Sequence, residues 1–239
     1  MNFYDHGKLA SALNDLRLPP LTEAQEAAFE TYAALLAETG KVMNLTAILD
    51  PEGIALLHFA DSLSLLAYEA PEEGSRVCDV GSGAGFPMLP VSIVRPDLHV
   101  TVMDSTEKKV RFLQQVTDRL NLPVTCLSMR AEEAGRNESL RESFDRVTAR
   151  AVSRLNKLAE LCLPLVKVGG KFLSMKGPGG REECEEARKG IGLLGGEVEE
   201  IRSFSLTGGE QRTLISVKKV RPTPTQYPRP YRKITSKPL

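Results

Sequence analysis

Tryptophan is absent from the 239 residues, and aromatic residues make up only 5% of them. That scarcity excludes a sheet of stacking aromatics as the main way of holding a nucleic acid. Only three histidines occur, His6, His58 and His99, none near a cysteine in sequence, so no metal site is expected. Cys78, Cys126, Cys162 and Cys184 form no C-x-x-C pair. Buried free thiols are expected rather than a disulfide framework or a zinc site. No uncharged apolar run approaches the roughly 18 residues that span a bilayer. The first ten residues carry Asp5, His6 and Lys8 and lack the apolar stretch of a secretion signal. The expectation is a soluble, cytoplasmic protein with no membrane contact. No apolar stripe is left over for self-association, so a monomer is expected. With 41% hydrophobic and 26% charged residues the chain is not of disordered composition and is long enough to bury a core.

Net charge is lacking too, since 31 Lys+Arg offset 31 Asp+Glu. The balance is uneven along the chain. Residues 1–75 hold three basic and twelve acidic residues, a net of −9, whereas residues 211–239 hold eight basic and no acidic residue, a net of +8. Such a split suggests a basic segment that meets a polyanion, with a merely solvated tail as the alternative on charge alone.

Three regions are expected: a helical region over 1–70, an α/β domain over 71–220 and a basic arm over 221–239. Thr22 with Gln25 forms a capping box for a helix running to Gly40. Asp50 followed by Pro51 opens a further helix. Strands are expected at 76–80, 98–103, 124–128, 144–149, 171–175, near 197–204 and at 213–218. Helices are expected at 87–94, 106–120 and 154–163. This alternation argues for a parallel sheet with helices on both faces. Pro222, Pro224, Pro228, Pro230 and Pro238 in the last residues point to an extended arm.

The strongest local signal is Asp79-Val80-Gly81-Ser82-Gly83-Ala84-Gly85-Phe86-Pro87, a strand that feeds a glycine-rich turn at the start of a helix. A dinucleotide G-x-G-x-x-G would require glycine where Phe86 stands. The G-x-G-x-G spacing with Asp79 ahead of it instead resembles motif I of Rossmann-like S-adenosyl-L-methionine-dependent methyltransferases. Asp104 ends the second strand, where a carboxylate can accept from both hydroxyls of a ribose. It can equally cap the helix that follows. The residues alone leave a nucleotide-binding variant open.

Beyond this loop, Asn44-Leu45-Thr46-Ala47, His58-Phe59-Ala60-Asp61-Ser62-Leu63, Arg130-Ala131-Glu132, 144–152, Arg212-Thr213-Leu214 and Tyr227-Pro228-Arg229 together resemble the RsmG family, also called glucose-inhibited division protein B. The resemblance implies a bacterial enzyme that methylates N7 of a guanine in 16S ribosomal RNA of the small ribosomal subunit. It assigns Gly81 and Phe86 to the methionine end of the cofactor, within the Gly81, Gly83, Gly85 loop. It sets Ala131 and Glu132 along the adenine, and Arg150 closing the pocket. Asn44 and His58 are expected at the cofactor mouth. Two positions depart from the family: Met88, where a small residue is usual and which is expected to narrow the groove, and Pro230-Tyr231-Arg232-Lys233, where relatives carry a glycine-containing segment.

Guanine N7 presents a lone pair and no proton, so no general base is required and no catalytic residue is expected. Alignment and desolvation then carry the acceleration. Phosphate contacts are expected from Lys176, Arg212, Lys218, Lys219, Arg229, Arg232 and Lys233. A methyltransferase for a small molecule or a protein, and an assembly module without catalysis, are the rival readings.

Overall fold

The computed structural model describes residues 2–43 and 45–239. Seven strands, β1 (Arg76–Val80), β2 (His99–Asp104), β3 (Val124–Ser128), β4 (Phe144–Arg150), β5 (Val166–Lys176), β6 (Gly196–Ser205) and β7 (Gln211–Lys219), form one sheet in the order β3-β2-β1-β4-β5-β7-β6. Strands β1 to β5 pair in parallel, as their alternation with helices predicts. Strand β7 departs from that pattern, because it lies antiparallel between β5 and β6. The five residues 206–210 between β6 and β7 are too few for a crossover helix, so the two strands form a hairpin.

Helices α5 (Met88–Val94) and α6 (Glu107–Leu120) follow β1 and β2, while α8 (Leu155–Cys162) and α9 (Gly180–Leu193) follow β4 and β5. A short α7 (Ala131–Ala134) follows β3. Successive strand residues point to opposite faces. Accordingly Val77 joins one apolar cluster, with Leu89 and Phe112, and Cys78 joins the other, with Leu158 and Ile191.

The acidic head covers the first face. It comprises α1 (His6–Asp15), α2 (Glu23–Met43) and a continuous run of α3 (Pro51–Gly53), a π-helical stretch (Ile54–Ala60) and α4 (Asp61–Glu69). Both expected caps are present: Gln25 N donates to Thr22 Oγ1 at 3.3 Å, and Gly53 N donates to Asp50 Oδ1 at 2.7 Å. The π stretch turns Phe59 into a cluster with Tyr4, Phe29 and Tyr32, at centroid distances of 5.4, 4.7 and 5.7 Å. Helix α2 runs past Gly40 to Met43, where Gly40 lets Leu49 approach closely.

The expected extended arm is instead folded against α8 and the loop after α7, with Tyr231–Ser236 forming α10. Arg141 donates to the carbonyls of Tyr227 (2.8 Å) and Thr223 (2.7 Å), and Arg136 to that of Pro228 (2.8 Å). Ile234, on the inner face of α10, is fully buried. Prolines remove backbone donors, but the carbonyls they leave are satisfied here by arginines from the loop after α7.

Candidate functional site

Strand β1 delivers the glycine loop to the carboxyl edge of the sheet. Gly81, Gly83 and Gly85 have φ of +72°, +58° and +101°. At Gly85 a Cβ would sit 2.5 Å from both Leu89 Cδ1 and Tyr32 Oη, so glycine is required there on two counts. The loop is held from below by Met103 O, which accepts from Gly81 N (2.8 Å) and Ser82 N (3.0 Å), and from the head by Tyr32 Oη donating to Ala84 O (2.5 Å).

Asp104 is buried at the tip of β2, where Oδ2 accepts from Gly83 N (3.1 Å) and Oδ1 from Thr106 N (2.8 Å), with Lys109 Nζ 3.7 Å away. It therefore ties the glycine loop to the start of α6. A cavity of about 280 Å³ opens beside it, bounded by Gly81, Asp104, Arg130, Ala131, Glu132 and Tyr231, with 151–153 forming another wall. Gly83, Gly85 and Phe86 do not line this space. Phe86 lies instead in a buried stack, 4.3 Å from the His58 ring and 5.5 Å from Tyr32. Met88 does not narrow the groove, because its side chain is buried in the core of the head-side face.

A nucleoside cofactor fits this donor set. Asp104 and the half-buried Glu132 offer carboxylates on one side. Under the loop, Asp79 accepts from Thr148 Oγ1 at 2.8 Å through Oδ1, while its buried Oδ2 has no partner among the described residues. Burial pushes the Asp79 carboxyl up to about 7. Such an acceptor at the glycine turn suits the cationic amino end of an amino-acid-bearing cofactor.

A second cavity, of about 510 Å³, shares Ala151, Val152 and Ser153 with the first. Arg150 lines this second space and not the cofactor-type cavity to which the family resemblance assigned it. Its guanidinium donates to Leu57 O (3.0 Å) and Asp61 Oδ2 (3.0 Å) and lies 4.9 Å over the Phe86 ring. It also approaches His58 Nδ1 at 3.4 Å, with Thr46 Oγ1 2.9 Å from Nε2. Burial, aided by the Arg150 charge, lowers the His58 pKa to about 4, so the ring is neutral. His58 thus belongs to the second cavity, and Asn44 lies outside the described residues. Ala151, between the cavities, adopts φ +56°, an unfavourable conformation for a residue with a Cβ.

The residues expected on phosphate separate into two groups. Lys219 is fully buried, with Nζ donating to Leu163 O (2.6 Å) and Thr223 Oγ1 (2.8 Å) and pairing with Glu142, so it faces no ligand. Arg229 forms a bidentate pair with Glu160, itself fully buried on α8. Arg212 joins Arg150 on Asp61 Oδ2 at 3.1 Å, and Lys176 bonds Ser153 O (2.5 Å) and Glu183 (2.8 Å). Both line the second cavity; Lys176 has Glu183 as its own partner, whereas Arg212 shares the single Asp61 carboxylate with Arg150. Lys218 is half-buried on β7, while Arg232 and Lys233 are exposed on α10. Asp61 and Tyr231 were missed as site residues. Asp61 stands within a motif already noted for its family likeness, and Tyr231 within the segment that departs from the family.

The sheet order, the glycine loop and the carboxylate at the tip of β2 define a Rossmann-like methyltransferase. In fold the chain is similar to TrmN from Thermus thermophilus (TM-score 0.52, 19% identity, 66% of this chain and 48% of that one). It is likewise similar to the YcgJ protein from Bacillus subtilis (TM-score 0.51, 15% identity, 69% of this chain and 100% of that one). The family profile described as rRNA small subunit methyltransferase G matches residues 25–215, and the chain belongs to that family. Ribosomal RNA small subunit methyltransferase G from Lactobacillus delbrueckii subsp. bulgaricus is 48% identical over 92% of this chain and 93% of its own length. The protein of the same name from Geobacillus kaustophilus is 49% identical over 85% of this chain and 86% of its own length.

Proposed function

We propose that this chain transfers a methyl group from S-adenosyl-L-methionine to N7 of a guanine in 16S ribosomal RNA of the small ribosomal subunit. The reading rests chiefly on the two cavities that meet at Ala151, Val152 and Ser153, one suited to a nucleoside cofactor and one to an acceptor base. Family membership and the names carried by its relatives supply the substrate class. When bound, the cofactor supplies a methyl already activated on a sulfonium.

The chain's own residues then act by holding and excluding. Gly81, Asp104, Ala131 and Glu132 bound the cofactor's space, and Asp79 offers its free oxygen beneath the loop. Arg150, Arg212 and Asp61 form a fixed charged lattice on the acceptor side, which resists reorganisation as charge moves. Lys176 holds the dividing segment through Ser153 O. No base is required, since the acceptor nitrogen has no proton to lose; neutral His58 is buried against Phe86 and acts as packing. Exposed Arg232 and Lys233 supply phosphate contacts. On this reading the protein works as a monomer in the cytoplasm, where its RNA is found. Among the described residues no helix is long and apolar enough to cross a membrane.

The test is transfer of labelled methyl from S-adenosylmethionine to ribosomal RNA from cells lacking this modification, followed by N7-specific strand cleavage and primer extension. A single cleavage stop in 16S RNA is expected. Label on another base atom, on protein alone, or on no acceptor at all would overturn the reading.

A further inference from the structure

The C-terminal helix contributes a wall to the cofactor-type cavity. Tyr231, the first residue of α10, lines that space beside Met129, Arg130, Ala131 and Glu132, and the tyrosine remains 43% exposed. Its ring is held in place by a chain of contacts. The Arg130 guanidinium carbon lies 4.7 Å from the Tyr231 ring centroid, and Arg130 Nε donates to Glu132 Oε1 at 2.7 Å. Before Tyr231, the Arg229 backbone N and guanidinium converge on Glu160, and Pro228 packs on Gly135, where a Cβ would come within 2.9 Å. After it, Ile234 is driven into the core. The segment is therefore fixed on both sides of Tyr231, with Arg130 over the ring and the residue lining the cavity.

We infer that Tyr231 is a cofactor-contacting residue that packs against the nucleoside part of S-adenosylmethionine, and that the Arg229–Glu160 pair positions it. The inference rests on the cofactor assignment made above. A flat, amphipathic ring beside a cavity of nucleoside dimensions gains stacking contact at little conformational cost, since its rotamer is already set. It explains why a proline-rich, basic tail, of a composition that favours extension, is held by Arg136, Arg141 and its own Arg229 on a buried glutamate. The tail completes the pocket. It also places Arg232 and Lys233, one and two residues further on, next to the cofactor rather than on a remote arm.

The experiment is calorimetric titration of S-adenosylhomocysteine into the full-length protein and its variants, without RNA and without turnover. The wild type is expected to bind, Tyr231→Phe to bind within twofold of it, and Tyr231→Ala to bind about tenfold more weakly with an unchanged unfolding midpoint. Glu160→Gln is expected to weaken binding in the same direction through loss of position. Tyr231→Ala binding within twofold of wild type overturns the inference while leaving the cofactor assignment standing. Failure of the wild type itself to bind S-adenosylhomocysteine overturns both.

Discussion

The acidic head and the basic tail flank the same sheet, yet they are attached by different physics. The head is held by burial: Tyr4, Phe29, Tyr32 and Phe59 are all fully enclosed in the apolar cluster that continues into α5 and α6. The tail buries little, chiefly Pro228 and Ile234, and is held instead by Arg136, Arg141 and Arg229 acting on carbonyls and on one buried carboxylate. Area burial is non-directional and forms a platform, whereas bidentate arginine contacts fix register. That difference suits their places: the head supports the glycine loop from behind, and the tail sets the position of one ring at the cavity mouth.

The sharpest way to break the comparison is to empty the head's core. Phe59→Ala should cost about 4 kcal/mol of stability, read from urea unfolding, because the ring packs on three others and on Phe86. A loss under 1 kcal/mol would show that the head contributes little to the fold.

The junction between head and sheet should show opposed pH dependences, each on the order of a few kcal/mol. Burial raises the Asp79 carboxyl to about 7, above its unfolded value, so the folded state keeps that proton longer and stability falls as pH rises from about 4 to 7. His58 titrates the other way. Its folded value of about 4 lies below the unfolded 6.5, so stability rises with pH across nearly the same window. Asp79→Asn should leave the rise and His58→Gln the fall, with the wild type flatter than either. Urea midpoints at pH 4.5 and pH 7 decide it, and a wild-type slope steeper than both variants contradicts the assignment.

For the tail, Glu160→Gln should cost about 2 kcal/mol and speed tryptic cleavage at Arg232 and Lys233, since it removes the carboxylate that anchors Arg229. Cleavage at the wild-type rate would mean that Arg136 and Arg141 suffice. The smallest effect concerns RNA. Replacing Arg232 and Lys233 by Gln should lower the magnitude of the log K against log salt slope by roughly 1 to 2 in filter binding. Arg229→Gln should leave that slope unchanged, because its charge is already matched by Glu160.

Much of the site's frame could be read from the chain. The loop from Gly81 to Gly85 and Asp104 at the next strand tip are local patterns, set by backbone geometry a few residues long. The caps at Thr22 and Asp50 are local for the same reason. What escaped reading was non-local. Arg229 and Glu160 are 69 positions apart, and no pattern in either segment shows that they meet. Lys219 counted as one of eight tail charges, although β7 carries it into the interior beside Glu142. Formal charge records what a side chain can donate, not where topology puts it. The reversal of β7 between β5 and β6 is equally a property of strand pairing, to which periodicity within β7 is blind.

Lys219 has one further use, in reaction kinetics. Desolvation lowers its pKa to about 8, so at mildly alkaline pH a good share of its amines are neutral nucleophiles that no reagent can reach. Acylation by a small anhydride must then wait for β7 or the segment at Thr223 to open. Mass spectrometry of that single lysine, timed against the exposed Lys233, would clock how often the molecule loosens at its C-terminal edge under native conditions.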